Sequence, residues 1–268
     1  MPDDPWAPLA DPFVEDAYAS VKGQVRTLVL HSQLSRHLPE PPATVLDVGG
    51  GAAHQSLPLA RLGYQVTVLD PSPAMLAKAE QRLRSEPDYV RRRVRLVQAA
   101  GEDAEQATRA ERFGAVLCHG VLMYLARPEL LMDAVCRCAA PGGIVSVMAL
   151  NAHTLAVRPA LDRRWEDALA AFDATTEIGV LGTHTRGDTV EGLSGLLRAG
   201  GVEPQAWYGV WLFSDWLDLA LADTDVTAVA AVELRASMRD PYRQLSRVFH
   251  LVGRRPGGGP GSRPAGDT

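Results

Sequence analysis

The sequence predicts an α/β fold in which a doubly wound, mostly parallel seven-stranded sheet carries a leading helix and helical insertions. Three observations point there. Short apolar runs alternate with amphipathic segments along most of the chain, the first run leads directly into Gly49-Gly50-Gly51, and the second ends on an acid, Asp70. Strands alternating with helices mark a parallel sheet covered on both faces, because each parallel connection must cross over the sheet.

In chain order, apolar residues recur at helical spacing from Val14 to Leu38 (Tyr18, Val21, Val25, Leu28, Val29) with no proline before Pro39, which predicts a long leading helix. Thr44 to Val48 is a buried strand, followed by a helix to about Leu62 that Gly63 closes. Val66 to Leu69 forms a second strand. Ser72 caps and Pro73 opens the next helix, which continues to about Leu83. Val94 to Ala99, Ala115 to Cys118 and Ile144 to Leu150 are further strands, with a helix over Glu129 to Ala139 before the Pro141-Gly142-Gly143 turn. Thr154 to Phe172 is expected to be helical, Asp173 to Thr185 a loop, Glu191 to Ala199 a helix stopped by Gly200-Gly201, and Asp215 to Met238 mostly helical. Strands near Gln205 to Leu212 and Arg247 to Val252 complete the sheet, expected as an antiparallel pair. The domain is thus expected over residues 13–253 with an insertion around 154–200. Residues 1–12 are expected to be flexible, and the Gly/Pro/Arg-rich 254–268 to stay disordered, since such composition buries too little apolar surface.

Composition removes several function classes. No apolar run approaches the roughly 18 residues of a membrane span, and Met1 to Ala10 lacks a basic segment followed by an apolar one, so a cytoplasmic location is expected. Cys118, Cys136 and Cys138 lack the spacing of a zinc or redox site and read as small apolar residues, so no metal is expected. A net charge of −5 argues against nonspecific coating of nucleic acid, which depends on phosphate neutralisation. Of 27 basic residues only Lys22 and Lys78 are lysine, so recognition of an anion would fall to arginine forks.

The chemistry concentrates at Asp47-Val48-Gly49-Gly50-Gly51-Ala52-Ala53, a strand-to-helix turn, with Asp70 closing the adjacent strand. Glycines let a ligand approach the backbone, and a carboxylate at the strand's end can accept from both hydroxyls of a ribose. Such a crevice serves a dinucleotide or S-adenosylmethionine. His54 stands where a dinucleotide fingerprint needs its last glycine, and Asp47 would repel a pyrophosphate while favouring a cationic amino group. Both features favour S-adenosylmethionine over a nicotinamide cofactor. Gly101-Glu102-Asp103 and His119 fall at the next strand ends, where Glu102 or Asp103 can accept from the adenine amine. Lys22 and Arg26 share a helix face.

Taken together, Lys22-Gly23-Gln24-Val25-Arg26, Val45 to Gly51, Asp70, Cys118 to Leu122, Pro141-Gly142-Gly143, Asn151-Ala152-His153, Glu233-Leu234, Asp240-Pro241-Tyr242 and the strand around His250 resemble the bacterial tRNA carboxymethoxyuridine carboxyl methyltransferases, within the class I S-adenosylmethionine-dependent methyltransferases. The resemblance spans about Tyr18 to Arg254. It implies a Rossmann-like fold, S-adenosylmethionine as cofactor and the tRNA anticodon region as partner, with Arg26, Gly49, Gly50, Asp70, Gly101, Glu102 and His119 at cofactor-binding positions. Asp47 and Gly51 join them on the argument from the turn, and Tyr124, Asn151, His153 and Trp211 are candidates for the acceptor's mouth. No catalytic residue is expected, because a carboxylate acceptor is already ionised at neutral pH. The chain departs from the family where Phe172 to Thr189 holds only Arg186 as a cation. Arginines at 82, 84, 91–93 and 95, or at 158, 163 and 164, could instead meet an anticodon loop. A small-molecule O- or N-methyltransferase and a noncatalytic S-adenosylmethionine-binding protein are the alternatives.

Overall fold

In a computed structural model, the structure describes residues 4, 6–12, 18–179 and 182–257. Strands β1 (Thr44–Val48), β2 (Gln65–Asp70), β3 (Val94–Gln98), β4 (Phe113–His119), β5 (Ala139–Leu150), β8 (Glu203–Val210) and β9 (Val248–Arg254) form one sheet ordered β3-β2-β1-β4-β5-β9-β8, while β6 (Thr176–Ile178) and β7 (His184–Arg186) form a separate hairpin. The first five strands of the large sheet pair in parallel, and β9 runs antiparallel to both β5 and β8. The fold class and the antiparallel closing pair are therefore as expected. Chain order reverses at β1, which leaves a crevice beyond its carboxyl end between β2 and β4, where ligands of open α/β sheets bind.

Alternation along the central strands builds two cores. Leu46 and Val48 of β1, with Val116 and Cys118 of β4, face one cluster that includes Met132, Val135 and Leu197. Val45, with Ala115 and Leu117, faces the other, against Leu34, Leu57 and Tyr64. Cys118, Cys136 and Cys138 are buried in the first cluster as unpaired thiols. Burial pushes the Cys118 thiol well up, Cys136 to about 12 and Cys138 to about 11, so all three stay protonated and inert.

Helix starts follow the side chains that satisfy their free N–H groups. Ser72 Oγ accepts from Met75 N at 3.1 Å with Pro73 opening the Pro73–Arg84 helix, and Thr189 Oγ accepts from Gly192 N at 3.0 Å ahead of Val190–Ala199. The leading helix is shorter than its periodicity suggests. Ser20 caps it through Gly23 N at 3.1 Å, so it runs Val21–Leu34, and the expected stretch around Val14 lies outside the described residues. Residues 7–12, within the stretch expected to be flexible, form helical turns, and Asp4 just before them accepts from Ser72 Oγ at 2.7 Å at the start of the Pro73–Arg84 helix.

The 154–200 region also differs in detail. Its first helix breaks into Val157–Leu161 and Trp165–Ala171, with Arg163 in the left-handed region (φ 59°) between them. The expected loop holds the β6–β7 hairpin, and Val190–Ala199 packs on the sheet as a regular covering helix. Arg254, placed by sequence in the tail, ends β9; residues 258–268 lie outside the described residues. Beyond β8, the buried Glu233 carboxylate accepts from Leu212 N, Phe213 N, Ser214 N and Ser214 Oγ at 2.8–2.9 Å, pinning the loop that starts at Trp211 to the Val226–Ala236 helix. No described helix is long and apolar enough to cross a membrane.

Leu117 is fully buried in the middle strand of the sheet. Leu117→Ala is expected to cost ~2–5 kcal/mol of stability, measured by urea unfolding, because a central strand cannot collapse into the void.

Candidate active site

The crevice beyond β1 and β4 encloses a cavity of about 170 Å³. One wall is the glycine turn. Gly49 N and Gly50 N both donate to Leu69 O, at 2.7 and 3.3 Å, folding the turn back over β2. Gly49 and Gly51 adopt φ +68° and +51°, and a Cβ at Gly49 would lie 2.4 Å from Val121 Cγ2. At Gly50 a Cβ would meet the Asp47 carboxyl at 2.8 Å and Val68 Cγ1 at 2.9 Å. Close packing therefore requires these glycines independently of any ligand, and the same packing leaves the cavity wall bare of side chains.

The floor is Asp70. Its Oδ2 accepts from Gly51 N and its Oδ1 from Ser72 N, each at 2.9 Å. A carboxylate offers about four lone-pair positions, so roughly two stay open toward the cavity that Asp70 lines. Burial raises its pKa, and the two backbone N–H groups pull the other way. Across the cavity stand Gly101, Glu102 and His119, with Trp6, Tyr18, Tyr124 and Leu131 completing the lining. A Cβ at Gly101 would come within 2.4 Å of Leu131 Cδ1, which explains a glycine there too. His119 Nε2 lies 2.8 Å from Ser146 Oγ, and its Nδ1 is buried with no hydrogen-bond partner.

The structure thus gathers Gly49, Gly50, Gly51, Asp70, Gly101, Glu102, His119 and Tyr124 around one space. Asp47 is not on the cavity surface. It sits beneath the turn, accepting from Ser56 Oγ at 2.6 Å. Arg26 stands beside Tyr18, its guanidinium 4.1 Å from that ring's centroid and 5.3 Å from Trp211's, and its Nε is buried without a partner. Of the acceptor candidates, only Tyr124 lines the cavity. Asn151 is occupied structurally: its Nδ2 donates to Ser246 O and Gln244 O and its Oδ1 accepts from His153 N, holding the turn that leaves His153 exposed. Trp211 donates through Nε1 to Lys22 O at 2.9 Å. Trp6, which meets Tyr124 edge-on at 4.8 Å, gave no signal in the sequence because nothing near residue 6 repeats at a recognisable period.

Beside Trp211 the described residues concentrate positive charge. Lys22 lies 4.3 Å above the Trp211 ring and pairs with the buried Asp215, which Arg158 also contacts at 2.9 Å and Arg247 at 3.9 Å. Arg247 also pairs with Glu177. Burial lowers the Lys22 pKa, with Arg158 and Arg247 adding repulsion, and takes Arg247 down to about 10. The arginine runs raised as a nucleic-acid face are largely tied to their own neighbours: Arg84 to Glu80, Arg91 to Asp88, Arg95 to Glu111, Arg164 to Asp162 and Asp167.

Residues 46–147, which include the turn, Asp70 and His119, match the family model described as a methyltransferase domain. Along nearly its whole length the chain is similar to a tRNA 5-carboxymethoxyuridine methyltransferase from Escherichia coli O157:H7, 27% identical over 260 residues that cover 96% of this chain and 98% of that protein. The chain is an S-adenosylmethionine-dependent methyltransferase. A more local likeness, 36% identity over 118 residues, links this methyltransferase to a ubiquinone biosynthesis O-methyltransferase from Methylobacterium sp. (strain 4-46), covering 42% of this chain and 44% of that one. In fold it is similar to the CcbJ methyltransferase from Streptomyces caelestis, with a TM-score of 0.60 at 16% identity over 92% of this chain and 96% of that one. The residues lining the cavity fit the cofactor: a bare backbone turn, a carboxylate with open lone pairs, and His119 with a buried nitrogen that lacks a hydrogen-bond partner, whereas Arg26, expected at a cofactor-binding position, is not among the lining residues.

Asp47 sets a pH dependence. Burial, with a further push from Asp70, raises its pKa to about 6 against the opposing Ser56 hydrogen bond. The folded state then holds this proton more tightly than the unfolded chain. Its contribution is full below the ordinary carboxyl value of 3.8 and is lost as pH rises through about 6. The methyltransferase with Asp47→Asn is expected to gain stability relative to the parent between pH 4 and 7, by up to ~3 kcal/mol. Urea titrations across that range check this, and a flat difference would place the titration elsewhere.

Proposed function

We propose that this methyltransferase esterifies the carboxylate of a carboxymethoxyuridine at the tRNA wobble position. The observation that carries the reading is the end-to-end similarity to a protein of that named activity, covering 96% of this chain. S-adenosylmethionine supplies an electrophilic methyl group. The chain's own part is to hold and align the two substrates: Asp70 accepts from the ribose hydroxyls, Glu102 from the adenine amine, Arg26 takes the amino-acid carboxylate, and Asp47, ionised at neutral pH, attracts the ammonium through the turn above it. The acceptor's oxygen forms the new bond to carbon as the carbon–sulfur pair leaves with sulfur. A carboxylate needs no deprotonation for this, so no general base is assigned.

The cations around Trp211 support an anionic acceptor. Lys22, Arg158 and Arg247 share only Asp215 and Glu177 among the pairs given above, Arg26 stands 5.3 Å from the Trp211 ring, and Tyr124 lines the cavity with a ring on which a base can stack, while the Tyr18 ring is already stacked on His54. Acting on tRNA, such an enzyme would work in the cytoplasm. The local likeness to a ubiquinone biosynthesis enzyme favours a second reading, a small-molecule hydroxyl acceptor.

Purified enzyme incubated with labelled S-adenosylmethionine and tRNA bearing carboxymethoxyuridine is expected to place base-labile label at the wobble nucleoside. Label appearing only on a phenolic small molecule would reject the tRNA reading. Asp70→Ala is expected to weaken S-adenosylhomocysteine binding about tenfold or more, measured by calorimetry, because hydrogen bonds to a charged group contribute ~1.5–3 kcal/mol.

A further inference from the structure

Behind His119 a chain of buried polar groups crosses from β4 through β5 and β9 to the Val21–Leu34 helix and β8. His119 Nε2 meets Ser146 Oγ at 2.8 Å, Ser146 Oγ meets His250 Nε2 at 2.7 Å, His250 Nδ1 meets Gln33 Oε1 at 2.9 Å, and Gln33 Nε2 donates to Gly209 O at 3.0 Å. Gln33, Ser146 and His250 are all essentially inaccessible to solvent.

The far end gives this chain a direction. A peptide carbonyl can only accept, so the Gln33 amide must turn its NH₂ to Gly209 and its oxygen to His250. His250 Nδ1 therefore carries a proton. Burial depresses the pKa of His250 well below its ordinary value and that of His119 to about 3, so both rings are neutral and have one N–H each. His250 Nε2 is then a bare acceptor, the single Ser146 hydroxyl proton is committed to it, and Ser146 Oγ accepts in turn from His119 Nε2–H. The opposite polarity would set His250 Nδ1 against Gln33 Oε1, two acceptors at 2.9 Å.

We propose that Gln33, His250 and Ser146 are positioning residues that lock His119 as its Nε2–H tautomer, so that the cavity-lining imidazole offers a bare Nδ1 lone pair to a hydrogen-bond donor of the bound cofactor. The buried, unpartnered Nδ1 is the atom left over by this arrangement. A lone pair there favours the ammonium group of S-adenosylmethionine and disfavours its carboxylate, which orients the amino-acid end of the ligand. The inference rests on the cofactor occupying this cavity, but the tautomer exists without it.

Nitrogen-15 histidine correlation spectra of the ligand-free enzyme, with His119 assigned through a His119→Gln variant, test the tautomer directly. The expected result is a protonated Nε2 and an unprotonated Nδ1 on His119. Ser146→Ala and Gln33→Leu, at opposite ends of the chain, are expected to mix in the Nδ1–H form. Each should weaken S-adenosylhomocysteine about tenfold, as the loss of one hydrogen bond to a charged group implies, with KM for the methyl acceptor unchanged. A His119 protonated at Nδ1 in the parent would overturn the proposal. So would a tautomer and a cofactor affinity that both variants leave intact. Absence of cofactor binding by the parent, with the Nε2–H tautomer present, would count against the ligand's place and not against the chain of hydrogen bonds.

Discussion

The Asp70 carboxylate is the constraint on which the site depends. By accepting from Gly51 N and Ser72 N it joins the turn after β1 to the start of the helix after β2, adding to the backbone bonds from Gly49 N and Gly50 N to Leu69 O. One buried side chain thus touches the cavity wall, its floor and the entry to the Pro73–Arg84 helix. Asp4 reinforces the same corner from outside through Ser72 Oγ and Ala74 N, bringing Trp6 onto the cavity. A group that already organises the crevice and still has lone pairs to offer needs little rearrangement to accept from a ribose, which keeps the ordering cost of binding low.

Much of this architecture could be read from the chain because local chemistry and global fold agree. The strand-to-glycine transition at Val48, the Ser72-Pro73 helix start and the closing acid of β2 each have a local cause, and each falls where the sheet requires it. What the periodicity misses is set partly by single local residues and partly by contacts between distant segments. Periodicity overran the start of the leading helix because Ser20, a polar cap inside an apolar pattern, decides it. The break at Arg163 and the β6–β7 hairpin follow no repeat at all. Trp6 reaches the site through long-range contacts, Asp4 with Ser72 and its own ring with the Ala10, Ala52 and Met75 cluster.

The site residues divide along the same line. Gly49, Gly50, Gly51, Asp70, Gly101, Glu102 and His119 were legible because backbone geometry at strand ends fixes their positions. The acceptor candidates depended on side-chain direction, which a one-dimensional pattern does not encode. Asn151 turned inward to hold a turn, His153 outward to solvent, and Trp211 toward Lys22, leaving Tyr124 alone of the four on the cavity. The arginine runs suggest an exposed basic face, yet positive charge concentrates where the helix from Val21, the segment after β5 and the start of β9 bring Lys22, Arg158 and Arg247 to one buried aspartate. Exposed pairs such as Arg84–Glu80 contribute little to stability or recognition, whereas clustered, partly desolvated cations hold a field that an anion can relieve.

The most direct test of this account is a crystal structure of the enzyme with S-adenosylhomocysteine. The account predicts both ribose hydroxyls within hydrogen-bond distance of the two Asp70 oxygens, with the amino-acid end over the glycine turn beside His119. A ligand bound elsewhere, or a ribose turned away from Asp70 with that carboxylate contacting only Gly51 and Ser72, would contradict it.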